Sequence, residues 1–200
     1  MTKQQEFVID FYEGKPGIFI DIGANDGISE SNTDILESTY GWTGLCIEPH
    51  SGAFQKLRAN RKATAVNACI SDYTGQSNFL EIDGYAEMLS GIVENYDDRH
   101  QSRISSEINK WGGNAKTVSV PTFKLTDLIP DDMFPISYVS IDTEGSEEAI
   151  LRGMDLHSQK YKLISIEDNY DNLPGEFLLF DAGFSWIAKI AADNFYLFQL

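Results

Sequence analysis

The sequence predicts an α/β protein with a mostly parallel sheet, helices on both faces of the sheet and an antiparallel C-terminal hairpin. Buried strands alternate with helices along roughly the first 70 residues. A glycine-containing loop follows the first strand, and two strand-like segments separated by a short polar turn end the chain. Alternation of strands and helices is typical of parallel sheets, whereas strands joined by a short turn pair antiparallel.

The first half contains a βαβ unit and its continuation. A helix is predicted over residues 3–12, and Lys15-Pro16-Gly17 ends it before a strand that finishes near Asp21. Ser31-Asn32-Thr33 offers a cap to a helix that runs to about Tyr40, and the next strand ends at Glu48. A helix over 53–61, a third strand over 63–70 and an antiparallel strand over 77–82 follow.

The second half contains the remaining strands. Residues 83–118 are polar and predicted to be irregular, with one helix over 94–110, and strands are predicted over 136–141 and 163–166. The final segment, FSWIAKIAADNFYLFQL, is predicted to turn at Ala192-Asp193-Asn194. We therefore expect a single domain over residues 1–200 with the Rossmann-like, seven-stranded layout of class I methyltransferases. Dinucleotide-binding Rossmann folds usually lack the last hairpin.

Composition excludes several classes of function. The formal net charge of −16 has the wrong sign for binding to the phosphates of nucleic acids. No apolar run approaches the roughly 18 residues that span a membrane, and the N-terminus lacks the features of a secretory signal, so we expect a cytoplasmic protein without nucleic-acid or membrane partners. Cys46 and Cys69 lie in apolar runs and are expected to be buried thiols. No pattern specifies an oligomeric state.

The loop after the first strand has the spacing GxxxG, in DIGANDG. A nicotinamide enzyme would be expected to carry GxGxxG there, because a pyrophosphate is held by closely spaced glycines at a helix N-terminus. The acid Asp21 would also repel a pyrophosphate, whereas it suits a ligand with a cationic amine and a sulfonium. The loop therefore favours S-adenosylmethionine, with a simple turn as the alternative.

Two further acids are predicted to follow consecutive strands. Glu48 comes 27 residues after Asp21, where the ribose hydroxyls of a nucleoside would lie, and Asp72 follows the third strand, where an adenine amino group would lie. Ligands of open α/β sheets bind at the carboxyl ends of the strands. The acids together predict a cofactor site, to which we also assign the neighbouring residues Ala24, Pro49 and Ser71.

The sequence resembles the FkbM family of methyltransferases. The segments that carry the resemblance occur in order across nearly the whole chain: FIDIGANDGISESNT, GLCIEPH, NACISD, MLSGI, SIDTEGSEEAIL and ISIEDNY. The resemblance implies a class I fold and O-methylation. It also implies that the cofactor is lined by Asp21, Gly23, Asn25, Gly27, Glu48 and Asp72. Ser31 and Asn32 match the family's SNT, and they either hold the methionine carboxylate or cap the helix.

The acceptor would be a small molecule or glycan that binds beside the insertion at about 83–118. That segment contains several polar and aromatic side chains suited to a sugar or an aromatic ring, which otherwise pack within the loop: Tyr85, Met88, Ser90, Tyr96, His100 and Trp111. Tyr170 could close over the acceptor, and His50 either contacts a ligand or lies exposed at a helix start. For removal of the acceptor's proton, the candidates are Asp142, Glu144 and Asp168, which follow the fourth and fifth strands.

A divalent cation such as magnesium is a second way to activate the acceptor. Asp142, Asp168 and Asn169 offer hard oxygen ligands, in an order similar to the magnesium site of catechol-type O-methyltransferases. The alternative is that Asp142 caps a helix while Asp168 and Asn169 form a turn. Two other functions stay open from the residues alone: a binding module that keeps the fold but transfers nothing, and a nicotinamide oxidoreductase.

Overall fold

The computed structural model of the chain describes residues 1–169 and 171–199. The strands in this part of the chain, numbered in order, are β1 (Ile18–Ile22), β2 (Thr43–Ile47), β3 (Thr64–Val66), β4 (Cys69–Ile70), β5 (Gly75–Asp83), β6 (Gly91–Ile92), β7 (Asn114–Phe123), β8 (Ile136–Ile141), β9 (Tyr161–Glu167), β10 (Phe184–Ile190) and β11 (Asp193–Phe198). The α-helices are α1 (Lys3–Phe11), α2 (Asp34–Tyr40), α3 (Ser51–Asn60), α4 (Asp98–Trp111), α5 (Leu125–Leu128), α6 (Glu147–Gly153) and α7 (Glu176–Asp181).

A seven-stranded sheet forms the centre of the fold and confirms the predicted class. Its strand order is β10-β11-β9-β8-β1-β2-β3. The pairs from β9 to β3 are parallel, whereas β11 is antiparallel to both β9 and β10. The carboxyl ends of β1, β2, β8 and β9 therefore lie at one edge of the sheet, which is where ligands of such sheets bind.

The core lies on both faces of this sheet because its central strands are apolar at successive positions. Ile20 and Ile141 belong to one buried cluster, and Phe19 and Tyr138 belong to the cluster on the opposite face. Since side chains alternate between the faces of a strand, a strand buried on both sides reads as a continuous apolar run. Helix α1 closes one side with a capping box between Thr2 and Gln5.

The predicted third strand is wrong as a single element. Residues 64–66 form β3 of the main sheet, but residues 69–70 form β4 of a second sheet, whose order is β4-β7-β5-β6. Asn67 separates the two strands, and its side-chain amide donates to the carbonyl oxygens of Glu48 (2.8 Å) and Pro49 (3.0 Å). These hydrogen bonds join Asn67 to the residues that follow β2, at the point where the chain leaves the main sheet.

The segment 83–118, predicted to be irregular, consists largely of regular structure. It includes strand β6, the 14-residue helix α4 and the first half of β7, which pairs antiparallel with β5. Asp97 caps α4 by accepting the amide of His100, and Gly112 ends the helix. The predicted helix was right in kind but began four residues too early. Helix α4 is rich in polar residues because only one of its sides, which includes His100 and Ile104, is buried.

The C-terminal hairpin is confirmed, but its turn lies earlier than predicted. Strand β10 ends at Ile190 and β11 begins at Asp193, so Asp193 and Asn194 are paired strand residues. Ala191 takes the left-handed conformation that the tight turn needs, with φ 54°. None of the helices in the described ranges is both long and apolar enough to cross a bilayer.

Candidate active site

Three adjoining cavities open at the carboxyl edge of the main sheet. The main cleft has a volume of about 680 Å³ and runs between the ends of β1 and β2 and the second sheet. The loop cavity, of about 310 Å³, lies against the loop after β1. The side cavity, of about 640 Å³, lies between the start of α4 and the segment after β9. Asp142 lines the main cleft and the loop cavity, and Glu144 lines the main cleft and the side cavity.

Glu48 is the buried carboxylate of the main cleft. One of its oxygens accepts the amide of Asn25 (2.8 Å) and the other accepts the amide of His50 (2.7 Å). Burial raises the pKa of Glu48 to about 7. A carboxylate oxygen can accept more than one hydrogen bond, so both oxygens retain capacity for ligand hydroxyls.

Apolar side chains line the main cleft around Glu48. They come from the ends of β1 and β2 and from the second sheet, and include Ile22, Ile47, Ala68, Ile70 and Phe79. A flat, weakly polar ring can pack against such a surface, while the carboxylate fixes its polar end. The chemistry of this set of residues fits a nucleoside, and it contains no cationic side chain that would select a phosphate.

The loop after β1 is held closely against the neighbouring strands. The amides of Gly23 and Ala24 both donate to the carbonyl oxygen of Ile47, at 3.0 and 3.1 Å. Gly23 has φ +86°, and a Cβ there would lie 1.7 Å from the carbonyl oxygen of Asp142. Glycine is therefore required by both conformation and packing. Asn25 also has positive φ, and it lines the main cleft and the loop cavity.

Asp21 lines the loop cavity, as predicted, whereas Gly27 lies away from the three cavities. Asp21 lines the loop cavity and accepts a 2.5 Å hydrogen bond from the hydroxyl of Thr33, and burial raises its pKa. Gly27 lines none of the three cavities, because it faces Arg61 and Leu57. Asp21 is thus placed to serve both the loop and a ligand, whereas Gly27 serves packing.

Ser31 and Asn32 line the loop cavity and also make hydrogen bonds to other residues of the protein. The Ser31 hydroxyl accepts the amides of Thr33 and Asp34, each at 3.2 Å, at the start of α2. The Asn32 amide donates to the hydroxyl of Ser140 (3.2 Å), and its carbonyl oxygen is the group left for a ligand. Ser31 therefore combines cavity lining with hydrogen bonds at the start of α2, and Asn32 combines cavity lining with a hydrogen bond to β8.

The structure brings most of the predicted cofactor residues together. The loop residues Asp21, Gly23, Ala24, Asn25, Ser31 and Asn32 line the loop cavity, and Glu48 and Pro49 line the main cleft. Ser71 and Asp72 line neither cavity, since they follow β4 in the second sheet and their side chains contact each other (3.3 Å). In place of Asp72, the preceding residues Ala68, Cys69 and Ile70 form the wall.

Asp142 and Glu167 form a pair of carboxyl groups that the sequence did not suggest. They follow Ile141 of β8 and Ile166 of β9, which are direct neighbours in the parallel register, and their side chains share a hydrogen bond. Burial and the adjacent acid raise the pKa of Asp142 well above its usual range. Two carboxylates this close cannot both ionise easily, so the pair retains a proton. The predicted strand over 163–166 could have indicated Glu167, because this residue ends the strand beside β8.

Glu144 lies opposite His100 of α4. Its Oε2 is 3.4 Å from His100 Nδ1 and 3.6 Å from Arg103 Nη1. Burial and the neighbouring Glu167 raise the pKa of Glu144 to about 7, whereas burial lowers the pKa of His100. Tyr96 stacks on the imidazole at 4.5 Å, and both rings line the side cavity. Of the polar and aromatic side chains expected near an acceptor, these two lie beside a candidate base.

The three proposed metal ligands do not line one common cavity. Asp168 and Asn169 line the side cavity, whereas Asp142 lines the two other cavities. Asp168 accepts the amide of Asn172 (3.0 Å) in a turn, and Asn169 donates to Glu167 (2.7 Å). Across the part of the chain that the structure describes, no group of three or more His, Cys, Asp or Glu residues is arranged to hold a metal ion. Tyr170 lies outside the described residues.

His50 is buried and is part of the framework of the site. Its Nδ1 accepts the amides of Gly52 and Ala53 at the start of α3, while Nε2 lies 3.2 Å from the carbonyl oxygen of Ile82. The prediction of an exposed helix-start histidine is therefore wrong, although His50 also lines the main cleft. Met88, half exposed, borders both the main cleft and the loop cavity.

Together, the strand order, the loop and the acids at the edge of the sheet define a class I methyltransferase. The family model of the methyltransferase FkbM domain matches residues 21–191. The chain belongs to the FkbM methyltransferase family, which implies S-adenosylmethionine as methyl donor.

One solved structure supports this fold. The methyltransferase FkbM from Methylobacillus flagellatus KT aligns with a TM-score of 0.53 and 14% identity, over 91% of this chain and 43% of that one. This chain thus spans less than half the length of that relative. The METTL16 methyltransferase domain aligns with a TM-score of 0.47 and 10% identity, over 96% of this chain and 63% of that one. A sequence search of the curated proteins found no match.

Proposed function

We propose that the chain is an S-adenosylmethionine-dependent O-methyltransferase that acts on a hydroxyl group of a sugar, glycan or small metabolite. The observation that carries the proposal is the position of Glu144, which lines both the main cleft and the side cavity. A base at that boundary can reach an acceptor in one cavity while the methyl donor occupies the other.

The donor would be held by residues at the end of β1, in the loop after β1 and at the end of β2. Glu48 is suited to the ribose hydroxyls and the apolar wall of the main cleft to the adenine, while Asp21, Asn25 and Asn32 offer oxygen acceptors to the methionine amine. Such hydrogen bonds to a charged group contribute about 1.5–3 kcal/mol each. When bound, S-adenosylmethionine supplies an electrophilic methyl group on a sulfonium.

On the acceptor side, the chain's task is to orient a hydroxyl group and take its proton. Orientation of reacting groups alone can supply about 7–11 kcal/mol of the barrier. Glu144 is the candidate proton acceptor because its pKa of about 7 leaves a substantial ionised fraction at neutral pH. Asp142, with its raised pKa and its bond to Glu167, is better suited to hold a proton than to remove one.

No step in this scheme uses a metal ion. Asp168 and Asn169 are engaged in the turn after β9, and Asp168 is therefore assigned to that turn and not to proton removal. We expect methyl transfer to be unchanged after exhaustive chelation and dialysis. Loss of activity that magnesium restores would contradict this part of the proposal.

The test is release of S-adenosylhomocysteine in the presence of a panel of hydroxyl compounds, which includes methyl glycosides, free sugars and catechol. We expect acceptor-dependent release with at least one class, and NMR of the product should show a new O-methyl group. Methylation on nitrogen or carbon would overturn the O-methyl assignment. Binding of S-adenosylmethionine without transfer to any member of a wide panel would favour a binding module.

A further inference from the structure

One buried arginine contacts the loop after β1 at several points and lines none of the three cavities. Arg61 ends α3, and its side chain is only 3% exposed. Its Nη1 donates to the carbonyl oxygen of Gly27 (3.1 Å) and to the hydroxyl of Ser31 (3.3 Å). Its Nη2 donates to the hydroxyl of Thr33 (2.9 Å). A single guanidinium therefore fixes three separate residues of the loop between β1 and α2.

The second glycine of the GxxxG motif makes room for this arginine. Gly27 has φ +80°, and a Cβ there would come within 2.6 Å of Arg61 Cγ and 2.7 Å of Leu57 Cδ1. The motif thus contains one glycine, Gly23, that packs at the ligand edge and another that packs on the arginine stem. Placement of Gly27 is accounted for by Arg61 and not by contact with a ligand.

The charge of Arg61 is balanced within the same network. Its Nε donates to Glu37 of α2, its Nη1 is 4.0 Å from Asp21 Oδ2, and its guanidinium lies over the ring of Phe19 at 5.4 Å. Asp21 in turn accepts the hydroxyl of Thr33. The guanidinium fork therefore ties the end of β1, the loop and the start of α2 to the end of α3. Lysine cannot reproduce this set of contacts, because it offers a point charge instead of a planar fork.

We propose that Arg61 is a positioning residue for methyl-donor binding, which holds the loop from Gly23 to Thr33 in its ligand-binding conformation. The inference rests on the proposed function and deepens it. Ser31 and Asn32 line the loop cavity, and the arginine bonds Ser31 and Thr33 on either side of Asn32. If the loop loses this support, a ligand must order it on binding, and that cost appears as lost affinity.

The variants are R61K and R61Q, which remove the fork, and T33V, which keeps the arginine but removes the hydroxyl that joins it to Asp21. R58K is the matched control, since Arg58 lies on the same helix, is exposed and makes a cation–π contact with Phe54. Affinity for S-adenosylhomocysteine is measured by titration calorimetry well below the unfolding temperature, with folding verified by circular dichroism. We expect R61K and R61Q to weaken binding by about tenfold or more, T33V by a smaller factor, and R58K by less than about twofold.

The outcomes separate this inference from the proposed function. Wild-type protein that is folded but binds no S-adenosylhomocysteine overturns the proposed function. Wild-type protein that binds, together with folded R61K and T33V that bind equally well, overturns the role of Arg61 while leaving the proposed function intact. If R61Q fails to fold, R61K and T33V still decide the question, because R61K keeps the positive charge and T33V keeps the guanidinium.

Discussion

The Nδ1 atom of His100 lies 3.4 Å from Oε2 of Glu144, while the Nε2 atom of the same ring lies 3.1 Å from the carbonyl oxygen of Leu89. A carbonyl oxygen can only accept, so Nε2 carries a proton and Nδ1 of the neutral ring presents its lone pair to Glu144. The two groups can then hold one further proton between them. The charges of Arg103, Glu147 and Glu167 also influence the pKa values of this pair. Glu144 lies at the boundary of the main cleft and the side cavity.

The first prediction concerns Glu144 and pH. Because the pKa of Glu144 is raised to about 7, its basic form dominates above that pH, and we expect the rate of methyl transfer to rise with pH through about 7. E144Q should lower kcat by about 10²–10⁴ and remove this limb of the pH profile. The control is E148Q, which changes a partly exposed glutamate paired with Arg152. An E144Q variant with wild-type kcat and an unaltered profile would show that another group takes the proton.

The second prediction concerns the stability of the ligand-free protein. Burial raises the pKa of both Asp142 and Glu167, and the neighbouring Glu167 raises the pKa of Asp142 further, so the folded state binds protons more tightly than the unfolded state. This contribution is fully present below the unfolded-state pKa and is lost as pH rises through the folded-state value. We therefore expect D142N to raise the Tm by a few degrees at pH 8, by about 2–4 °C per kcal/mol, and by less at pH 5.

The exposed residue Asp10 provides the comparison for D142N. D10N should leave the Tm within about 1 °C of wild type at both values of pH, since exposed substitutions usually change stability by less than about 0.5 kcal/mol. If D142N lowered the Tm at pH 8, or if its difference from wild type did not vary with pH, the carboxyl groups of Asp142 and Glu167 would not be coupled.

The third prediction separates the conformation of a glycine from its packing. Gly23 and Gly41 both have positive φ, but a Cβ at Gly23 would overlap the carbonyl oxygen of Asp142, whereas nothing lies within 4 Å of one at Gly41. G41A should therefore cost only the left-handed strain of about 1–2 kcal/mol. G23A should cost more in the free energy of unfolding and should also abolish binding of the methyl donor. Chemical denaturation and calorimetry on both variants provide the measurement, and equal effects would contradict the packing account.

The sequence predicted the fold well because its signals were local and repeated. The apolar runs that end at Ile22, Ile47 and Ile141 each correspond to a central strand, and the order of strands and helices implied a parallel sheet. The predicted run over residues 63–70 was misread as one strand because Asn67 breaks it through side-chain hydrogen bonds to another strand end. Such a contact has no signature in the periodicity of the segment itself.

The donor side of the site was more predictable than the acceptor side. The strands determine where the donor-side residues lie: Asp21 is near the end of β1, Gly23 follows β1 and Glu48 follows β2. The topology alone therefore places them. Asp72 lies outside the predicted site because the third strand is split between two sheets. His100 contacts Glu144 from the insertion at about 83–118, whose packing depends on tertiary contacts. Arg61 gave no motif signal at all, because its partners are a backbone carbonyl and two hydroxyls distant in sequence.

The measurement that tests the central claim most directly is titration calorimetry of S-adenosylhomocysteine with wild-type protein, E48Q and D72N. Glu48 lines the main cleft and Asp72 lies outside it, although both were predicted to bind the cofactor. We expect wild type and D72N to bind with similar affinity and E48Q to bind at least about tenfold more weakly, since a hydrogen bond to a charged group is worth about 1.5–3 kcal/mol. Absence of binding by folded wild-type protein, or a loss of affinity in D72N that E48Q does not share, would contradict the account.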